Sequence, residues 1–150
     1  MPWYEYSKDA TGTPQPLVEV SLWHGSKRIR IIGQIDSGAD SSTFDVTIAE
    51  ALGLSRVGAV LDSCVLADGS KSPTWSWPSA DLQIQFRSDR FPFRGDFVEF
   101  APDADPTNLL GREDFFQGYI IQFWDKESIF NIDSSPDSTR RLRVRSAPGP

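Results

Sequence analysis

The chain has 150 residues, 39% of them hydrophobic and 24% charged, with a net charge of −6. Those proportions suit one globular domain large enough to bury a core, and the acidic balance argues against nucleic acid as the main partner. A single cysteine, Cys64, excludes an internal disulfide, a CxxC pair and a zinc finger.

Eleven Gly and eleven Pro, with ten Phe and five Trp, favour many short strands and tight turns over long helices. No run approaches the roughly 20 apolar residues of a membrane span, and Met1–Asp9 lacks the apolar centre of a signal peptide. A cytoplasmic protein without membrane contact is therefore expected.

Residues 1–15 are polar and Pro-containing, with Trp3, Tyr4 and Tyr6 near the front, and read as an N-terminal arm whose aromatics pack on the parent domain or on a partner. Leu17–Trp23 alternates Val18, Val20 and Leu22 with Glu19 and Ser21, the period of a strand. His24-Gly25-Ser26-Lys27 is a turn, and Arg28–Ile35 returns as the second strand of a hairpin. His24, the only histidine, belongs to that turn, which reads as a surface position; a catalytic base or a metal ligand there would lack partners in the sequence.

The apolar strand runs straight into Asp36-Ser37-Gly38-Ala39. A carboxylate at the end of a buried strand is costly unless its charge is held or its proton shared. Gly38 permits a tight turn with its N–H aimed at the carboxylate, and Ser37 adds a hydroxyl that donates and accepts. The plain reading is an Asx-turn; the sharper one is a reactive acid. Next, Asp45–Leu52 carries Val46 and Ala49 at helical spacing, with Gly53 as its stop.

Val60–Ala67 and Ser70–Trp77 read as a hairpin closed by Asp68-Gly69. Trp75 and Trp77 either line a groove or pack at the hairpin base. Leu82, Ile84 and Phe86 alternate with Gln83 and Gln85 as another strand. Phe91–Phe100 is expected to be one strand too, Pro92 marking an edge or a start. After the acidic loop Ala101–Thr107 comes the apolar strand Leu109-Leu110-Gly111, crossing close to another backbone. Arg112–Gln117 is expected as a short helix ended by Gly118. Tyr119–Trp124 and Ser128–Ile132 form a last hairpin turning at Asp125-Lys126. In residues 133–150, four arginines (140, 141, 143, 145) stand against Asp133 and Asp137 without periodicity, which reads as an Arg-rich disordered tail.

Taken in order, Asp36-Ser-Gly-Ala after a hydrophobic strand, a Gly-tipped hairpin, and Asn108-Leu109-Leu110-Gly111-Arg112 resemble the retroviral-type aspartic proteases, the retropepsins, with their cellular and bacterial relatives. The likeness covers residues 16–132. It implies an all-β fold, a closed acid-protease barrel with one or two short helices, working as a homodimer. It also implies an aspartic endopeptidase without metal or cofactor, in which Asp36 and Asp36′ activate a water between them and a polypeptide is the substrate. By the same resemblance Ser37 braces the two loops across the dimer, and Gly38 and Asp40 meet the substrate main chain beside Ala39. Asp40 also pairs with Arg112, in bidentate geometry, and Leu109 walls a subsite. Asn108 and Gly111 support the second motif. Ala67, Asp68, Gly69 and Ser70 form a flap tip over the substrate. One departure stands out: retroviral members carry a basic residue shortly before the first strand, where this chain reads Thr13-Pro14-Gln15-Pro16. A non-catalytic peptide-binding or dimerisation module with the same fold is the alternative.

Overall fold

The computed structural model describes residues 3–65, 68–93, 96–102, 108–116 and 119–133. Strands β1 (Trp3–Glu5), β2 (Ser7–Lys8) and β3 (Pro14–Gln15) open the chain. β1 is zipped antiparallel to β14 (Ile129–Asp133), with Tyr4 opposite Phe130, so the aromatics of the first segment pack on the parent chain. Tyr4 stacks on the Phe130 ring at 5.2 Å. β2 and β3 close a small ribbon around Asp9, whose Oδ1 accepts from the N–H groups of Thr11 and Thr13 at 2.9 and 3.0 Å.

β4 (Leu17–His24) and β5 (Lys27–Ile35) form the expected hairpin. Val18, Val20 and Leu22 are buried as their alternation dictates, but so is Ser21, which the polar side of the pattern had placed outward. β6 (Thr43–Asp45) leads into helix α1 (Val46–Ala51). Asp45 caps it, accepting from the Thr47 N–H at 2.8 Å. Gly53 ends it at φ +77°, a conformation that favours glycine. β7 (Val60–Val65) and β8 (Lys71–Pro78) are the second hairpin, and β9 (Leu82–Phe86) buries Leu82, Ile84 and Phe86.

The stretch 91–100 is not one strand. β10 (Asp89–Pro92) folds back on β9, and a separate β11 (Phe97–Ala101) pairs with β8 and β6. Proline supplies no donor to a ladder, and Pro92 duly lies at the end of an edge strand. β12 (Asn108–Leu110) follows. The segment after Gly111 is a run of turns over 112–115, with the Phe115 and Phe116 N–H groups both returning to the Gly111 carbonyl, rather than the expected helix. Gln117 and Gly118 lie outside the described residues, as does the tail from 134. β13 (Ile120–Trp124) and β14 make the last hairpin.

The main sheet has nine strands in the order β10-β9-β4-β5-β12-β6-β11-β8-β7, and a smaller one has the order β1-β14-β13. β10 and β7 stand at its two ends, so among the described residues the sheet is open and the expected closed barrel is not formed. β12 sits at the centre. It runs parallel to β5 and antiparallel to β6, joining two four-stranded halves. The core collects Val20, Leu22, Ile84, Phe44, Phe100, Leu110, Phe115, Phe130 and Ile132, each at most 1% exposed.

Candidate functional site

The Asp36 loop begins where β5 leaves the core. Ile35 is buried, and the Asp36 N–H donates to the Leu110 carbonyl at 3.1 Å, so β12 fixes the level at which the loop departs. The carboxylate then closes the turn: Asp36 Oδ1 accepts from the Gly38 N–H at 2.8 Å, and the Asp36 carbonyl accepts from the Ala39 N–H at 3.2 Å. A Cβ at Gly38 would fall 3.2 Å from Asp36 Oδ1, so any side chain there would crowd the acid. Asp36 is half-buried while Ser37 and Gly38 are exposed. The carboxylate is thus held on its own loop and open to solvent on the outer side.

The second motif clamps this loop by backbone. The Arg112 N–H donates to the Ala39 carbonyl at 3.0 Å, and the Glu113 N–H to the Asp40 carbonyl at 2.8 Å. The Asp40–Arg112 ion pair is present, but through one nitrogen and one oxygen (Nη2 and Oδ1) rather than the expected bidentate fork. Both side chains are mostly exposed, at 78% and 53%, so the pair adds under about 1 kcal/mol and serves orientation more than stability.

Beneath it lies a buried chain that the sequence reading did not contain. The Gly111 N–H donates to Ser42 Oγ at 3.0 Å, and the Ser42 N–H donates to Asp114 Oδ2 at 2.9 Å. Ser42 is 1% exposed and Asp114 6%. The signal was slight: one Ser among Ser41-Ser42-Thr43, and one acid next to Phe115 in a segment expected to be helical. Asn108 extends the bracing, its Oδ1 accepting from the Asp45 N–H at 3.0 Å and its Nδ2 donating to the Ile32 carbonyl at 3.2 Å. Leu109 is half-buried and lies opposite Gln34 of β5 and Thr43 of β6.

Another residue missed from sequence is Glu99, an acid inside the apolar strand β11, opposite Thr43. Burial pushes its carboxyl above the usual range, the Asp62 charge adds to this, and a hydrogen bond with the Thr43 side chain works the other way. Asp114 and Glu113 push it further up.

The hairpin tip is self-contained. Asp68 Oδ1 accepts from the Ser70 N–H at 2.9 Å and from the Ser70 hydroxyl at 2.6 Å, and Gly69 takes φ +82°. The Ser70 hydroxyl holds the Asp68 carboxyl below its usual range, helped by the Ser70 N–H. Ala67 lies outside the described residues. Among the described residues no hydrogen bond joins this tip to the Asp36 loop. Trp77 packs at the hairpin base: it is buried edge-on against Phe100 at 5.3 Å and donates Nε1 to the Ser55 carbonyl at 2.7 Å.

His24 is a tether rather than a base. Its Nδ1 lies 2.9 Å from the Leu52 carbonyl oxygen, joining the β4–β5 turn to the end of α1. It sits level with Lys27, at the opposite end of β5 from Asp36, about 30 Å away at the ordinary strand rise. Among the described residues no group of three or more His, Cys, Asp and Glu side chains is placed to hold a metal ion. No helix among them is long and apolar enough to cross a membrane. The site therefore offers one half-buried carboxylate, an adjacent exposed hydroxyl and a rigid backbone brace. Neither models of known protein families nor curated proteins match this chain.

Proposed function

We propose that the chain is a retropepsin-like aspartic endopeptidase that acts as a homodimer, each copy lending one Asp36. The observation that carries the reading is the Asp36-Ser37-Gly38 turn at the end of β5, pinned by the Leu110-Gly111-Arg112 backbone. The sequence contains a single Asp-Ser/Thr-Gly triplet, so one chain holds half of a two-acid centre.

In the dimer two Asp36 carboxyls face one another across the two-fold axis. Like charges so close cannot both ionise cheaply, so the pair shares one proton and titrates as a unit. The ionised acid takes a proton from a water, whose oxygen attacks the scissile carbonyl carbon. The protonated acid gives its proton to the carbonyl oxygen, forming a neutral gem-diol. Collapse of the diol breaks the C–N bond, with the proton delivered to the departing nitrogen. Ser37, exposed beside the acid, is available to bond across the axis. A patch of exposed aromatics on the smaller sheet supplies apolar surface for a second copy: Trp3 is 46% and Trp124 54% exposed, 6.1 Å apart edge to face.

The segment lacking the basic residue braces its own strand instead. The Pro16 carbonyl accepts from the Ile35 N–H at 3.0 Å, and Gln34 Nε2 donates to Gln15 Oε1 at 3.1 Å. A dimer without that cross-axis charge is concentration-dependent, and activity follows it. The test is cleavage of a peptide library at mildly acidic pH, alongside Asp36→Asn and sedimentation. Full activity in Asp36→Asn overturns the proposal. The half-site nature of one chain also favours a second reading, a non-catalytic peptide-binding or dimerisation module. A monomer at micromolar concentration that binds peptides without cutting them would establish it.

A further inference from the structure

The outer face of the main sheet reverses the sign of the protein's charge. Strand alternation puts Arg90 of β10 and Arg28 and Arg30 of β5 on the same face as Ser21 and Trp23 of β4, and all three arginines are exposed. Across these four strands Glu19 is the one carboxylate on that face. The chain as a whole carries a net charge of −6.

Two of the arginines converge on one ring. Trp23 stands opposite Arg28 on one side and Gln83 on the other, and its Nε1 donates to Gln85 Oε1 at 2.9 Å, which ties the indole to β9. The Arg90 guanidinium carbon lies 3.9 Å from the ring centroid and that of Arg28 lies 5.5 Å from it. The two guanidiniums are therefore no farther apart than the sum of those distances. Each is also pinned through its Nε, Arg28 by the hydroxyl of buried Ser21 at 3.1 Å and Arg90 by Gln83 Oε1. What is left on each is the pair of Nη groups, an end that matches both oxygens of one carboxylate. Among the described residues neither guanidinium is ion-paired. Arg30, two positions from Arg28 and opposite Ser21, adds a third cation.

We propose that this face docks an extended acidic segment of a partner protein, with carboxylates on alternate residues taken by Arg28 and Arg90 and drawn in by Arg30. Alternate side chains of an extended chain stand about 7 Å apart, a spacing that the two guanidiniums beside Trp23 span. Side chains already held by a ring and a hydrogen bond lose little freedom on binding, and a weakly hydrated guanidinium sheds water readily. Nucleic acid suits the face less well: Arg90 already lies over the ring on which a base would stack, and the acidic remainder of the chain repels a long polyanion. Arg28 stands toward the end of β5 remote from Asp36, so the inference does not rest on the protease reading.

The test is an amide-resolved NMR titration of the full chain, at neutral pH and low salt, with a synthetic dodecapeptide of alternating glutamate and serine. Its glutamine counterpart lacks the charge, and an oligothymidylate of equal charge represents nucleic acid. The expected result is saturable shifts gathered on Trp23, Arg28 and Arg90, with the glutamine peptide and the oligothymidylate each at least about tenfold weaker. Arg28→Gln and Arg90→Gln each weaken binding about tenfold, and Arg90→Lys restores part of it. Lys126→Gln, an exposed cation on the turn between β13 and β14, leaves binding unchanged. Unfolding midpoints of the variants near that of the parent tie the losses to the face. Absence of saturation, equal binding of the glutamine peptide, tighter binding of the oligothymidylate, or full binding by a folded Arg90→Gln overturns the proposal.

Discussion

Gly111→Ala is the sharpest probe of how the Asp36 loop is held. A methyl group on Gly111 would lie 2.4 Å from both the carbonyl carbon and the oxygen of Ser41, and 2.9 Å from its Cα. These are backbone atoms that cannot rotate away, so the two segments must part by about 1 Å to reach ordinary contact. Overpacking of this kind costs about 1–3 kcal/mol. Parting also stretches the Gly111–Ser42 hydrogen bond at 3.0 Å and the Arg112–Ala39 bond at 3.0 Å, each worth about 1 kcal/mol. The expected loss is therefore about 3–5 kcal/mol, a large share of the ~5–15 kcal/mol typical of a domain. In urea unfolding this moves the midpoint down by about 2 M. Gly58→Ala is the control, because nothing lies within 4 Å of a Cβ there, and it should stay within about 0.5 kcal/mol of the parent. A Gly111→Ala midpoint within about 0.3 M of the parent would refute the reasoning, since the close crossing of the two motifs would then carry no energy.

Ser42→Ala leaves the buried Gly111 N–H without its acceptor, and thermal or urea unfolding should register a loss of about 1–3 kcal/mol. The Glu99 carboxyl is raised by burial and by Asp62, so the folded chain keeps a proton that the unfolded chain has released. Stability from this group is full below the ordinary carboxylate pKa and is lost as pH rises through the raised value. Glu99→Gln should accordingly raise the melting temperature at about pH 7, with the gain disappearing by about pH 4; a gain that is the same at both pH values would contradict this. Arg112→Gln should change stability by less than about 1 kcal/mol, since the pair it breaks is mostly exposed. In a peptide-cleavage assay the same variant should lose activity if Arg112 orients the Asp36 loop.

The β4–β5 and β7–β8 hairpins and helix α1 were legible because each is local: alternation, a Gly-containing turn or a capping Asp decides them within a few residues. The Asp36 turn was legible for the same reason, since Gly38 can only serve the carboxylate two positions before it. What the sequence hid depends on contacts far along the chain. The break between β10 and β11 arises because Phe91 faces Ile84 while Phe97 faces Pro78, two different partner strands that periodicity cannot tell apart. Ser21 reads as an outward residue until Arg28 is seen lying over it. Ser42 and Asp114 are polar residues with no local reason to be buried, and only their mutual bond across 72 positions explains them. The open sheet likewise follows from the long-range order of strands, and single-strand patterns are the same in open and closed sheets.

The three residues of β12 separate β5 from β6 in the middle of the sheet. Their pairing with β5 closes a span of about half the chain, a slow, non-local event in which much chain entropy is lost before any contact repays it. Until it happens, β5 and β6 each present a bare edge and the acid at residue 36 has no fixed position. A nascent chain halted before Asn108 would therefore be adhesive, and the order of synthesis itself keeps the Asp36 loop from being fixed early.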